Sequence, residues 1–184
     1  MSDQPDLILK FHKDGPFFYM ITAFTIAFAG VEPFIDSRNP MNYKPYPAKS
    51  GFVLNGKVFP QFVVFPYDLF VRFQKKEISH RKISISFCTM LINTAYESVK
   101  EKNNQTPIFE FFRHVRNASS HRNEFFFKSK EPKRITEWRG KIIDHNLKGN
   151  NNPLFEKECF FNFLGPADAL YLLSDIEQQI FQAP

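Results

Sequence analysis

Residues 107–121 read PIFEFFRHVRNASSH, and this stretch decides how the chain is read. Thr106 followed by Pro107 suits a helix start, with Thr at the N-cap and Pro at the first helical position. Ile108, Phe112, Val115 and Ala118 or Ser119 recur at helical spacing and form an apolar stripe. The other face is distinctive. Arg113, Asn117 and His121 are spaced i, i+4, i+8, and Arg116 and Ser120 make a parallel row. Two guanidiniums, an amide, a hydroxyl and an imidazole therefore share one face, and Glu110 is the only acid in the helix. A solvated face ordinarily mixes in Glu and Lys.

The surrounding charge follows the same pattern. The 184 residues carry 24 Lys and Arg against 19 Asp and Glu, a net charge of +5. Residues 111–141 hold nine of the basic groups and three of the acidic ones, net +6, which leaves −1 for everything else. Such a segment is either a solvated basic face or the docking place of a polyanion. Guanidinium groups bind phosphate through paired donors and stay charged. Histidine gives and takes a proton near neutral pH. These are the parts that phosphodiester chemistry needs without a metal: a base for the RNA 2′-hydroxyl, an acid for the leaving 5′-oxygen, and cations on the phosphoryl oxygens. The sequence offers no Asp/Glu cluster near the helix to hold two metals, and no Gly-rich phosphate loop of an NTPase or dinucleotide enzyme.

The flanking segments predict a mainly α chain with small β-hairpins. Residues 82–101 form a helix with Cys88, Leu91, Ile92, Ala95 and Val99 on its buried stripe, although KISISF at its start alternates like a strand. Residues 124–143 read as extended segments or a hairpin around a basic turn at Pro132. Residues 145–153 are a polar loop. Gly165-Pro166 opens a last helix with Ala169, Leu172, Leu173, Ile176 and Ile180 on one stripe. On the N-terminal side, 17–29 is a helix apolar nearly all round, which must be covered by its own domain or a second subunit. Residues 37–50 read as a loop. Asn55-Gly56 predicts a tight type I′ hairpin within 52–59. Phe62–Phe65 forms a second extended run between Pro60 and Pro66, and 67–77 a short helix using Phe70 and Phe73.

Composition narrows the class further. With 24 Phe, 7 Gly and 1 Trp the chain is no disordered tail. Cys88 and Cys159 are too few for a disulfide framework and lack zinc spacing, which points to a reducing cytoplasm. Met1-Ser-Asp-Gln-Pro-Asp6 is acidic where a secretory leader is basic. The uncharged run Gly15–Val31 is short and interrupted for a membrane span, so it reads as a core or interface helix and no membrane partner is expected. His114, near Phe111 and Val115 by helical spacing, reads as a wall or core residue rather than a catalyst. Arg113 can bind RNA or pair with Glu110. Trp138 and Arg139 can stack on a base, or Trp138 can be core. Cys88 reads as inert and His145 as exposed. Ser119 and Ser120 lack the glycines of a nucleophile elbow.

The string Arg116-Asn117-Ala118-Ser119-Ser120-His121 resembles the signature of the HEPN superfamily: an Arg, a polar residue that is often Asn, then a His a few residues on. Composition alone would produce R-N-x-x-x-H about 0.015 times in this chain. Phe112-Arg113-His114-Val115-Arg116-Asn117, His121-x-Asn123-x-Phe125, Thr136-x-Trp138-Arg139-Gly140 and Gly165-x-x-Asp168-Ala-Leu-x-x-Leu extend the likeness to a bacterial plasmid- and genome-encoded HEPN-like subgroup, over roughly residues 80–182. Many relatives have Gly after the His, where this chain has Arg122. The resemblance implies a HEPN-like helical bundle; the chain is then read as one such domain over 1–184, with 66–182 as the core bundle and residues 1–65, which the likeness does not reach, as a helix and hairpin extension. It also implies a homodimer whose two motifs meet in a basic cleft. Many such proteins are metal-independent endoribonucleases, acting as toxins, phage-defence effectors or RNA-processing factors. Others are inactive RNA-binding or assembly modules. Carried over, Arg116 and His121 are catalytic with Asn117 orienting them. Arg113, Ser120, Arg122, Lys128, Lys130 and Arg139 contact RNA. No metal or cofactor is expected, and the partners are RNA, a second copy and, for a toxin, an antitoxin protein.

Overall fold

A computed structural model of the chain describes residues 11–35, 51–58 and 61–182. The protein is mainly α-helical with two small antiparallel strand pairs. In chain order the elements are α1 (Phe18–Ile35), β1 (Phe52–Asn55), β2 (Gln61–Val64), α2 (Pro66–Gln74), α3 (His80–Val99), α4 (Pro107–Ser120), β3 (Glu137–Trp138), β4 (Lys141–Ile142) and α5 (Pro166–Gln182). The chain divides into two compact units. One takes the chain up to Thr25 together with everything from Ser84 onward, and the other is Ile26–Ile83.

The first unit contains α4 and its surroundings. Thr106 is extended (φ −66°, ψ 158°), Pro107 takes the first helical position, and the Glu110 N–H donates to the Thr106 carbonyl at 2.9 Å. The Thr106 hydroxyl does not cap the helix; it bonds Gln179 of α5 instead. α4 buries Phe109, Phe111, Phe112, His114, Val115, Ala118 and Ser119, while Ile108 is only half-buried. The buried arc is thus wider than the stripe expected from Ile108 and Phe112, because neighbours cover the helix on more than one side. Phe111 meets the Trp138 ring at 5.7 Å and Phe163 at 6.0 Å, and Phe112 meets Tyr96 of α3 edge-on at 5.2 Å. Such ring pairs contribute about 0.5–1.5 kcal/mol each beyond their burial. α3 is helical from His80, and Cys88, Leu91, Ile92, Ala95 and Val99 are buried along it as its periodicity predicts. α5 buries Ala169, Leu172, Leu173 and Ile176, and Ile180 is half-buried.

Both thiols are free and buried. Burial pushes the Cys88 thiol up to about 12, and raises Cys159 as well. β3 and β4 pair Glu137 with Ile142 and Trp138 with Lys141. Arg139 and Gly140 both take positive φ (45° and 75°), which turns the chain as type I′ hairpins do.

The second unit holds the other hairpin. β1 and β2 pair Phe52 with Val64 through Asn55 with Gln61. Asn55 is itself a paired residue, so Asn55-Gly56 does not make a two-residue turn and the predicted pairing within 52–59 is not formed. The partner strand begins only after Pro60, whose ring nitrogen has no proton to offer a ladder. The loop expected at 37–50 lies outside the described residues, as does the side chain of Phe70. Among the described residues no helix is long and apolar enough to cross a membrane.

Candidate nucleic-acid interface and catalytic face

The polar face of α4 is held in place by residues of two other segments, α3 and the loop that follows α4. Arg116 donates from Nη2 to Glu97 Oε1 of α3 at 2.7 Å and from Nη1 to Asn117 Oδ1 at 3.4 Å. Its guanidinium lies 5.5 Å from the centre of the Tyr96 ring, and its Nε is buried with no hydrogen-bond partner among the described residues. One turn on, the Ser120 hydroxyl donates to Asn93 Oδ1 of α3 at 2.8 Å. Asn93 and Glu97 are four residues apart, as are Arg116 and Ser120, so the two helices meet along a polar seam. Glu97 also accepts from Lys100 Nζ at 2.8 Å. The Lys100 ammonium, and then Arg116, hold the Glu97 carboxyl below its ordinary range.

Arg113 is enclosed by acids. Its Nε and Nη2 donate to Glu110 Oε2 at 3.1 and 3.0 Å, and its Nη1 to Glu131 Oε1 at 2.9 Å. Burial works against its charge, but the two carboxylates outweigh it and raise its pKa. Nη2 also lies 2.9 Å from His114 Nε2. A guanidinium only donates, so that imidazole nitrogen is the acceptor and the ring is neutral. Burial first, then the Arg113 charge, lowers the His114 pKa to about 3. His114 packs on Phe127 at 5.4 Å, which is the wall role its position predicts.

α4 stops at His121. The His121 N–H donates to the carbonyls of Asn117 and Ala118, both at 3.0 Å. Arg122 (φ 60°) and Asn123 (φ 70°) then turn the chain in the left-handed region. Glycine takes that conformation without strain, and here Arg122 adopts it. The His121 imidazole is exposed and stacks on Phe126 at 5.1 Å with 29° between the rings. Ser120, His121 and Arg122 line a cleft of about 280 Å³ with Glu124, Phe126 and Glu156.

The other expected RNA contacts lie apart from that cleft. Arg139, on the β3–β4 turn, pairs bidentately with Asp175 of α5 at 2.7 and 2.9 Å. Trp138 is buried and its Nε1–H donates to the same carboxylate at 2.8 Å, so it is core rather than a stacking platform. Lys128 and Lys130 are exposed on the loop that follows Phe127. The sequence reading missed Asn93, Glu97, Glu131 and Asp175. Only Asn93 and Glu97 carried a signal, their i, i+4 spacing on the polar side of 82–101. Among the described residues no group of three His, Cys, Asp or Glu side chains is placed to hold a metal ion. No family model, no curated protein and no solved structure matches the chain.

Proposed function

We propose that the chain is a HEPN-like, metal-independent endoribonuclease that cleaves single-stranded RNA as a homodimer. The observation that carries this reading is the end of α4. Arg116 contacts Asn117, and the exposed His121 opens on a cleft floored by an aromatic ring, all within two helical turns. In the reaction the RNA 2′-oxygen attacks the adjacent phosphorus and the bond to the 5′-oxygen breaks, leaving a 2′,3′-cyclic phosphate and a 5′-hydroxyl. One His121 removes the 2′-proton and the second copy's imidazole protonates the leaving oxygen. Arg116 balances charge on the non-bridging oxygens, and Asn117 orients its guanidinium. Phosphate must displace the Glu97 carboxylate, a step made easy by the exposure of that ion pair. Two buried, unreactive thiols fit a reducing cytoplasm.

A second reading is a non-catalytic RNA-binding module of the same fold. It is favoured by the commitment of Arg116 to Glu97 and the burial of its Nε. The test is incubation of the purified protein with unstructured RNA in EDTA. Fragments ending in 2′,3′-cyclic phosphate, lost in Arg116→Ala and His121→Ala, are expected. RNA bound but intact selects the second reading, and full activity in His121→Ala overturns the first.

A further inference from the structure

The basic excess of residues 111–141 divides into two populations. Arg113, Arg116 and Arg139 are tied to carboxylates: Glu110 with Glu131, Glu97, and Asp175. Lys128, Lys130, Lys133 and Arg134 are exposed, as are Arg122 just past the end of α4 and Lys141 of β4, and among the described residues none of the six has an ion pair; the first four are neighbours in sequence. Arg134 bonds only the neutral amide oxygen of Gln105. All four sit on one stretch of loop. We propose that this loop, Lys128 to Arg134, is the surface that docks the phosphate backbone of a single-stranded RNA, and that the arginines of α4 contribute little to affinity. The inference rests on the RNA reading above and assigns its binding surface.

Three further features support it. First, the one acid in the loop is turned inward. Glu131 accepts at Oε1 from Arg113 Nη1 and at Oε2 from the Lys128 N–H, so its charge is paired with Arg113 rather than with the ammonium and guanidinium groups of the loop. Second, the loop is braced before any ligand arrives. The Gly149 N–H donates to the Glu131 carbonyl at 2.8 Å, Lys148 Nζ bonds the Pro132 and His145 carbonyls, and Pro132 is buried. A pre-organised surface loses less entropy on binding. Third, the loop is flanked by both clefts. Phe126, stacked under His121, precedes Lys128 by two residues. Lys133 and Arg134 line a polar cleft of about 380 Å³ with Arg113, Glu110 and Glu131, where the two carboxylates are paired with Arg113 and the two loop cations are not. Lysines on a loop running from an aromatic ring suit a strand of stacked bases and spaced phosphates.

The experiment measures anisotropy of a dye-labelled uridine 12-mer in EDTA, from about 50 to 300 mM salt, on full-length protein carrying His121→Ala to prevent turnover. Replacing Lys128, Lys130, Lys133 and Arg134 together by Gln should weaken binding at least tenfold. It should also flatten the slope of log affinity on log salt by two or more, since each lost single-strand phosphate contact is worth about 0.7. Replacing Lys13, Lys57, Lys75 and Lys76 together by Gln, an equal surface charge lost elsewhere, should change both far less. Thermal melting checks that the fourfold variant is folded, and Lys133→Gln alone should show a fraction of the same change. An unchanged slope in the folded variant overturns the proposal, as does equal binding of a glutamate-rich peptide, which would identify an acidic protein as the ligand. If the wild-type chain binds through the loop but never cuts, the docking surface stands and the nuclease reading falls. If it cuts and the fourfold variant with His121 retained cuts equally well at low salt and subsaturating RNA, the docking assignment falls alone.

Discussion

Asn123 and Phe160 exchange two hydrogen bonds through one side chain: the Phe160 N–H donates to Asn123 Oδ1 at 2.8 Å, and Asn123 Nδ2 donates to the Phe160 carbonyl at 3.1 Å. The amide imitates a strand neighbour and fixes the chain immediately after His121 and Arg122. Asn123 is 3 % exposed and left-handed. Asn123→Ala leaves a buried N–H and C=O unsatisfied and forces Ala to a positive φ, so it should cost about 3 kcal/mol, read from the urea midpoint. Asn123→Asp keeps the acceptor but not the donor and should fall between. A loss below about 1 kcal/mol for the alanine variant would show that the segment relaxes without this lock.

His114 makes the fold sensitive to acid. The folded chain takes up this proton only near pH 3, whereas the unfolded chain takes it up around pH 6.5. Its contribution is full above pH 6.5 and is lost progressively as pH falls from there toward 3. Arg113 opposes the imidazolium and Glu131 favours it, and both face the ring. His114→Gln retains an acceptor for Arg113 but cannot titrate. Its denaturation midpoint should decline less steeply than the wild type's between pH 6.5 and 4. Parallel profiles would assign the acid loss to other groups.

Glu97 restrains Arg116 without stabilising the fold. The pair is exposed, and Glu97 is shared with Lys100. Glu97→Gln should leave the melting temperature essentially unchanged while tightening single-stranded RNA binding by roughly two- to fivefold at low salt, an advantage that shrinks as salt rises. Weaker binding in this variant would mean that Glu97 positions the guanidinium for RNA rather than competing with it.

Gly149 and Gly140 both hold positive φ, but only one is crowded. A Cβ on Gly149 would lie 3.3 Å from Ser129 Cα, whereas one on Gly140 would meet nothing within 4 Å. Gly140→Ala should therefore cost about 1 kcal/mol, the conformational penalty alone. Gly149→Ala should cost more and, by displacing the basic loop, weaken RNA binding as well. Equal costs in chemical denaturation would remove the steric part of this account.

The limits of α4 were legible because they are local: Thr106-Pro107 starts it and the residues after Ser120 stop it. The stripe from Cys88 to Val99 was legible because a packed helix buries a periodic set. The pairing of β1 was not, since Asn55-Gly56 is a local turn signal and the strand that β1 pairs with, Gln61–Val64, lies beyond its reach. The cationic face of α4 was likewise visible, and so was Glu110 as a partner for Arg113 one turn away, while the more distant acids were not. Glu97 comes from another helix and Glu131 from a loop eighteen residues beyond Arg113; likewise Asp175, the partner of Arg139 on the β3–β4 turn, lies thirty-six residues beyond it. Periodicity reports which residues share a face, and it is silent on which distant carboxylate meets them.

The two buried thiols give the molecule an internal clock. Neither Cys88 nor Cys159 is exposed, and burial keeps both protonated far above neutral pH. A thiol reacts as its thiolate, so alkylating reagents must wait for the chain to open. The rate at which an excess of iodoacetamide consumes them therefore reports how often the helical core around α3 comes apart, in native buffer and without denaturant.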